Sequence, residues 1–398
     1  MKNKFKLLLF CIIAFAFVLL FVSCAEIPIS TSSDTPSDNL SSAISMEQSM
    51  QEELSSQSES IISTDEPSSN DEVSAEASSA ESSNIASAEP SSEPPDESKD
   101  NSESSVSPNG VREVNGIIIN GHMAVEQYGG GVNSGALYAK AVNSLKKSLG
   151  SGVNVYSMPI PLAGAFYSPP GYSFNYTNHL KTFNSIRENL DEVIDINLLE
   201  YLDNHKEEKL YLYTEHHWAA LGAYYAAEAI AKTANLPFAD ISTMETKSFD
   251  NFLGSFAKLT KDAEFAKHPE TFTYYVPKTK YTANFYSVDK FTNPKENDLF
   301  FNTKSYLMFL GGDAYSTHIK TSAANGRTAV LFKDSFGNPI APYMLESFED
   351  IYVLDIRYFK LNGLDFIKEK QATDVIIALS AYTVVSSTVR NTINGWIK

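Results

Sequence analysis

The sequence predicts an α/β fold on a parallel sheet for residues 109–398, and two observations carry that expectation. Short β-rich runs alternate with longer amphipathic ones, the order in which βα units are written. Forty-two aromatic residues fall within these 290 positions, ample for one large core. Taken in order, Gly116–Asn120 (GIIIN) reads as a strand, Ser134–Leu149 as a helix, and Val153–Pro161 as a strand ending in prolines. Val193–Asn197 and Leu210–Thr214 read as further strands, the second followed by the helix Ala219–Thr233 (AALGAYYAAEAIAKT). A Tyr-rich, mixed stretch from about 245 to 325 stands as an insertion. Beyond it the pattern is regular: Ala329–Lys333 a strand, Pro339–Ser347 a helix, Asp350–Ile356 a strand, Leu364–Lys370 a helix and Asp374–Leu379 a strand. Such an order implies right-handed crossovers and a site at the carboxyl ends of the strands.

Residues 25–108 are of another kind. They hold 28 Ser, 19 Asp or Glu, one basic residue (Lys99) and no aromatic. That segment accounts for the whole net charge of −18, so residues 109–398, with 30 acidic and 27 basic residues, are close to neutral. A nucleic-acid partner is not expected, because no basic stripe is present to neutralise phosphates. The segment lacks the apolar surface needed to offset its ordering entropy and is expected to be a disordered, charge-extended spacer. It could hold the domain away from a bilayer, as work in or across a cell wall requires.

Residues 1–24 carry Lys2, Lys4 and Lys6, then an apolar run from Leu7 to Val22, then Ser23-Cys24, the order of a secretory signal. The apolar run is short for a spanning helix. Phe21-Val22-Ser23-Cys24 resembles a bacterial lipobox, with Phe where the pattern usually has Leu, which makes Cys24 the expected lipidation site. The other reading is an uncleaved N-terminal anchor. In both, the rest of the chain is extracytoplasmic and touches the membrane through its anchor alone. Cys11 and Cys24 are the sole cysteines, so a processed lipoprotein has no free thiol for catalysis, zinc or disulfides.

Two motifs can carry chemistry. Thr214-Glu215-His216-His217-Trp218 stands where a strand gives way to a helix. A carboxylate beside an imidazole fixes its tautomer and stabilises its protonated form, which suits general-base work. The plain alternative is one His at the helix start and the other packed on Trp218. A metal is not expected, because the H-E-x-x-H spacing is absent. Lys333-Asp334-Ser335-Phe336-Gly337-Asn338-Pro339 follows the strand AVLFK and would present the Ser335 hydroxyl at the edge of the sheet, beside N–H groups able to stabilise an oxyanion. Its plain alternative is a strand-to-helix turn capped by Ser335 or Asp334. It is not the G-x-S-x-G elbow of the α/β-hydrolases. The two motifs lie 118 residues apart, and each gains its meaning from the other.

Weaker candidates surround them. Gly311-Gly312-Asp313 and His318 could line a loop near the site, with Gly312 offering a backbone oxyanion donor, although an ordinary turn explains them as well. His122, His179, His205 and His268 have no partner pattern and are expected in core or surface roles. Gly129-Gly130-Gly131 lacks the dinucleotide fingerprint, so phosphate binding is not expected.

The motif EHHW with LGAYYA behind it, the stretch INGHMAVEQYGGGVNSGALYAKAVN, the segment NFLGSF, and the late LFKDSFGNPIAPYML and IYVLDIRYF together resemble the DHHW family of bacterial surface proteins. The resemblance spans essentially all of residues 110–398. That family is similar to the SGNH hydrolase-like domains of alginate O-acetylation proteins. The resemblance implies a flavodoxin-like SGNH sheet with helices on both faces. In those relatives the carboxylate and histidine come from D-x-H-W and the serine follows later in the chain. It therefore implies Ser335 as nucleophile, His217 as base and Glu215 as the group that orients His217, with His216 left to pack. Glu215 departs from the family Asp by one methylene.

The implied function is a cell-surface lipoprotein that moves an acyl (O-acetyl) group to or from an envelope or extracellular polysaccharide, as a serine O-acyltransferase or a carbohydrate esterase. It implies no cofactor, a glycopolymer acceptor, and a membrane-bound O-acyltransferase as partner by analogy. The competing expectation is a non-catalytic carbohydrate-binding or scaffold lipoprotein of the envelope, which Glu215 in place of Asp leaves open.

Overall fold

A computed structural model of the chain describes residues 105–106 and 110–398. The signal with Cys24, and the spacer as far as residue 104, lie outside the described residues. A four-stranded antiparallel meander comes first: β1 (Ser105–Val106), β2 (Arg112–Val114), β3 (Ile117–Asn120) and β4 (Met123–Glu126). Its β1 falls inside the stretch expected to be spacer and pairs with Arg112 and Glu113. Asn115-Gly116 joins β2 to β3 with φ of 52° and 76°, the pair of left-handed residues that a two-residue hairpin turn demands.

The α/β elements follow as α1 (Val132–Leu149), β5 (Asn154–Ile160), α2 (Gly164–Tyr167), α3 (Phe174–Asn189), β6 (Ile194–Asp195), α4 (Leu198–Asp203) and α5 (Ala220–Ala234). The mixed stretch contributes β7 (Glu245–Phe252), α6 (Ser255–Thr260), α7 (Ala263–Lys267), β8 (Glu270–Val276), β9 (Tyr281–Ser287), β10 (Lys295–Glu296) and β11 (Tyr315–Thr321). The chain finishes with β12 (Thr328–Lys333), β13 (Asp350–Asp355), α8 (Gly363–Glu369), β14 (Asp374–Ser380), α9 (Ala381–Val385) and α10 (Ser387–Trp396).

Eight strands form the main sheet in the order β10-β9-β11-β13-β12-β14-β5-β6. Those from β13 to β6 are parallel, and β11, β9 and β10 extend them antiparallel. The mixed stretch is thus partly a continuation of the same sheet. When the parallel strands are counted from β12 and the count passes from β14 round to β5, they read 2-1-3-4-5, the flavodoxin order. The chain meets that order at a different starting point. The switch point of the order lies between β12 and β14, and Lys333 at the end of β12 is level with Asp355 of β13 and Ala378 of β14. A crevice at these carboxyl ends is where such sheets place their chemistry.

Both faces of the sheet are covered. Residues 155–160 of β5 alternate between the faces and are all buried, with α1 and α9 packed on the strand as well as α4. The whole of β14 is buried likewise. A second, small core joins Ile117, Ile119 and Ala124 of the meander to Phe256 and Phe265 of α6 and α7. Among the described residues no helix is long and apolar enough to cross a membrane.

Two expected elements differ. Leu210–Thr214 is not a strand of the sheet: Tyr211 makes one bridge to Trp218, and the Ala219 N–H returns to the Leu210 carbonyl at 2.8 Å. The chain reverses within a few residues, so Leu210 and Leu212 bond back to Ala219 and His217 inside the loop, and the segment joins no ladder of the sheet. Pro339–Ser347 forms a 3-10 turn at Ala341–Met344 in place of an α-helix. Pro342 lacks the N–H that a continuing α-helix needs, and it is tolerated in a first turn.

Candidate active site

The loop that carries Glu215, His216 and His217 is held from three sides. Behind it, the Glu270 carboxylate of β8 accepts from the N–H groups of Tyr213 (2.9 Å) and Thr214 (2.8 Å) and from the Thr214 hydroxyl (2.8 Å). From the meander, the Ala124 N–H donates to the Tyr213 carbonyl at 2.9 Å. From α6, the Phe256 N–H donates to the Thr214 carbonyl at 3.0 Å. These anchors are 40 or more residues away in sequence, yet together they fix a loop with little regular structure.

Glu215 is buried and fully engaged. Its Oε1 accepts from His217 Nδ1 (2.9 Å), from the Ser255 hydroxyl (2.8 Å) and from the His216 N–H (3.1 Å), while its Oε2 accepts from the Ser255 N–H (2.9 Å). Burial opposes its charge, but the two imidazoles outweigh burial and hold the carboxyl well below the usual range. His217 is buried, and burial together with the neighbouring His216 lowers its pKa to about 4 against the lift from Glu215. It is therefore neutral at pH 7, with its proton on Nδ1 facing the carboxylate. Its Nε2 is buried and accepts no hydrogen bond among the described residues. A neutral imidazole with a pinned Nδ1–H and an open Nε2 lone pair has the chemistry a general base needs. Tyr306 stacks on the ring at 3.8 Å and 5°, which excludes water from that face.

Ser335 opens the 3-10 turn Ser335–Gly337 immediately beyond β12. The cap of that turn is Asp334, whose Oδ1 accepts from the Phe336 N–H at 3.1 Å and whose Oδ2 accepts from the Ser380 N–H at the end of β14 at 2.7 Å. Because Asp334 caps, the Ser335 hydroxyl is left uncommitted, and it makes no hydrogen bond among the described residues. Gly337 is required here, since a Cβ would stand 2.2 Å from Lys333 Cβ.

The structure brings the two motifs together. Trp218 Nε1 donates to the Phe336 carbonyl at 3.1 Å, and the His217 and Phe336 rings are 5.0 Å apart. The Ser335 turn thus sits against His217 and Trp218, while no hydrogen bond from Ser335 to His217 is formed. Hydrogen bonds of this kind commonly close only when substrate is bound.

Beneath the turn lies an ionic cluster. Lys333 Nζ reaches Asp313 (2.9 Å) and Asp355 (3.0 Å), Arg357 reaches the same two carboxylates, and Asn338 Nδ2 donates to Asp313 at 2.9 Å. Burial would raise the Asp313 pKa, but Lys333 and Arg357 hold it well below its ordinary value. The Gly311-Gly312-Asp313 turn is therefore beside the site, through Asp313. Gly312 itself is a correction: its N–H donates to the Phe309 carbonyl at 3.0 Å, so the hydrogen expected to serve an oxyanion is spent inside the turn. The N–H of Ser335, first in its turn, has no acceptor within it.

His318 lies on β11, bound to Asp350 at 2.8 Å and stacked on Tyr352. His179 is a core residue: Nε2 accepts from the Leu162 N–H at 3.2 Å and Nδ1 donates to the Asn175 carbonyl at 2.7 Å. The His122 and His268 rings meet at a tilt of 34°, and His205 stacks on Tyr225. Among the described residues, the donor atoms of Glu215, His216 and His217 lie within 4.8 Å of one another, as a metal site requires. Both Glu215 oxygens already receive hydrogens, and a cation there would displace the bond that orients His217, so the donor set fits a triad better than an ion.

A family model described as DHHW protein matches residues 47–354. The chain belongs to the DHHW family. A DHHW family protein from Eubacterium siraeum, a crystal structure at 1.49 Å resolution, is 37% identical, with a TM-score of 0.66 over 73% of this chain and 96% of that one. Bacillus cereus PatB1, solved with a sulfonyl adduct, is 19% identical, with a TM-score of 0.55 over 69% of this chain and 96% of that one. The O-acetyltransferase domain of Pseudomonas putida AlgJ matches at 12% identity and a TM-score of 0.44, over 70% of this chain and 99% of that one. No curated protein matches by sequence. This DHHW chain writes EHHW at its motif, and its NFLGSF segment supplies the partners of Glu215, a role for Gly254 and Ser255 that their sequence context did not reveal. Tyr306 carried no local signal at all.

Proposed function

We propose that this protein is a cell-surface lipoprotein, anchored through Cys24, that transfers an acyl group, acetyl in the first instance, to or from a polysaccharide of the envelope or its surroundings. The observation that carries the chemistry is the open Nε2 of a neutral, carboxylate-bound His217 beside the turn that presents the Ser335 hydroxyl. Ser335 Oγ attacks the acyl carbonyl as its proton passes to His217 Nε2. The negative charge on the carbonyl oxygen is met by the Ser335 N–H. Collapse expels the donor's alcohol, which takes the proton back from His217, and leaves acyl-Ser335. A sugar hydroxyl, or water, then gives its proton to His217 as it attacks the ester carbonyl, and the tetrahedral intermediate expels Ser335 Oγ, which takes that proton back from His217 and leaves both residues as they began. Glu215 keeps the Nδ1 proton in place and stabilises the imidazolium formed in each half. No step calls for a cofactor.

An extracytoplasmic polysaccharide acceptor and a membrane-bound O-acyltransferase that supplies the acyl group complete the reading. PatB1 offers a reagent, since sulfonyl compounds trap activated hydroxyls. The test is p-nitrophenyl acetate cleavage together with sulfonyl fluoride labelling mapped by mass spectrometry. Wild type should release phenol and carry the label on Ser335, and Ser335→Ala should do neither. The second reading, a non-catalytic carbohydrate-binding or scaffold lipoprotein, draws on the unformed bond from Ser335 to His217. It takes over if Ser335→Ala cleaves the ester like wild type. Loss of lipid labelling in Cys24→Ala tests the anchor, and unchanged labelling excludes it.

A further inference from the structure

The NFLGSF segment has a property the triad itself does not explain. Ser255 Oγ is 2.6 Å from His216 Nδ1, 3.2 Å from the His216 N–H and 2.8 Å from Glu215 Oε1. His216 Nδ1 also stands 2.7 Å from Glu215 Oε1, so it must carry a proton, since two lone pairs do not face each other at that distance. Ser255 can then only accept from His216, and its single hydrogen goes to Glu215. A hydroxyl committed in this way is no nucleophile. It is a bracket that ties the middle histidine of the motif to the carboxylate.

Close approach of the backbone makes the bracket fit. A Cβ on Gly254 would lie 2.4 Å from Glu215 Cβ and 2.6 Å from the Thr214 carbonyl oxygen. Only glycine lets the α6 entrance come this near the acidic side chain. The same approach delivers the Ser255 N–H to Oε2.

We propose that Ser255 is a positioning residue of this site, its hydroxyl and N–H together holding both Glu215 oxygens so that a glutamate meets His217 Nδ1 where a shorter aspartate would otherwise be needed. The proposal rests on the reading of His217 as the base, and it predicts a role for His216 as the second arm of the bracket.

The test uses the full chain with 15N-labelled histidine. In wild type the His217 ring should give one Nδ1–H tautomer, assigned by its absence in His217→Gln. Ser255→Ala should broaden or shift that ring signal and lower kcat on p-nitrophenyl acetate by about 10- to 100-fold with KM little changed, the worth of one hydrogen bond to a charged group. Ser255→Thr, which keeps the hydroxyl, should restore most of both. Where Ser255→Ala does not fold, Ser255→Cys carries the same test, because a thiol keeps the shape and donates weakly. An unchanged ring signal and kcat in Ser255→Ala or Ser255→Cys overturns the proposal, and so does a loss that Ser255→Thr fails to rescue. The ring signal needs no turnover, so it decides on Ser255 even if Ser335→Ala removes the catalytic reading.

Discussion

Trp218 Nε1 donates to the Phe336 carbonyl at 3.1 Å, and this bond joins the residue after His217 to the residue after Ser335. Both groups are buried, so the bond is made in low dielectric and its loss leaves a carbonyl unsatisfied. Trp218→Phe keeps most of the apolar volume and removes the donor. Its expected cost is about 1–3 kcal/mol of stability, read by denaturant unfolding, with a further fall in ester cleavage as the turn loosens. Wild-type stability in the variant would show that the two motifs are held by packing alone.

If the proposed reaction holds, Glu215→Gln should keep the fold and lose most activity, because an amide cannot stabilise the imidazolium that each of its halves would form. Glu215→Asp restores the family residue but draws the carboxylate back from Ser255, so its outcome depends on the bracket. Paired with Ser255→Ala, the aspartate variant should show a non-additive change in kcat. Simple additivity would mean that the two side chains act separately.

The pH profile follows from His217. Its folded pKa of about 4 lies below the ordinary histidine value, so the ring is neutral through the physiological range, and the base it would supply in the proposed reaction is lost as pH falls through about 4. The acid limb of kcat/KM should have its midpoint near 4, well under the midpoint near 6.5 of an ordinary histidine. A midpoint near 6.5 would assign the base to another group or to a more solvated ring.

Stability should follow pH in the same window. His179 and His217 are both buried with pKa values of about 4, whereas the unfolded chain titrates its histidines near 6.5. Between these values the unfolded state binds the extra protons, so folding stability is full above about pH 6.5 and falls as the pH drops toward 4. In His179→Gln, whose amide can still accept from Leu162 and donate to Asn175, the slope of melting temperature against pH should be shallower. An unchanged slope would place the titration elsewhere.

Gly337→Ala tests the crowding under the serine. Its Cβ would stand 2.2 Å from Lys333 Cβ, so the turn must move away from β12. We expect a loss of about 1–3 kcal/mol, measured by denaturant unfolding, with a larger relative loss of ester cleavage than of stability. Full activity in the variant would show that the Ser335 turn tolerates displacement.

Much of the architecture could be read in the residues. The runs AVLFK, DIYVLDI and DVIIAL are parallel strands β12, β13 and β14, because buried β-branched and aliphatic runs bounded by turn residues have little other use. The α1 and α5 helices were legible for the same reason of periodic apolar composition. Composition likewise marked off the acidic Ser-rich stretch. What local sequence could not supply was the path of backbone bonds. Leu210–Thr214 has the composition of a strand, yet the N–H groups of Tyr213 and Thr214 go to Glu270, 56 residues or more away. Pro342, visible in the sequence, falls inside the 3-10 turn that stands where an α-helix was expected.

Sequence alone determined which residue types were available: one carboxylate next to two histidines, and one serine at the end of a strand. Tertiary structure decided what each became. It turned Glu215 toward His217 by closing Gly254 and Ser255 over it, tied Asp334 to the Ser380 N–H, and set the Ser335 turn against Trp218. The reason is physical: a hydrogen bond and a pKa depend on distance, direction and burial, and these are set by contacts between segments 40 to 120 residues apart. Neighbouring residues in the chain fix only the chemistry each segment brings to that meeting.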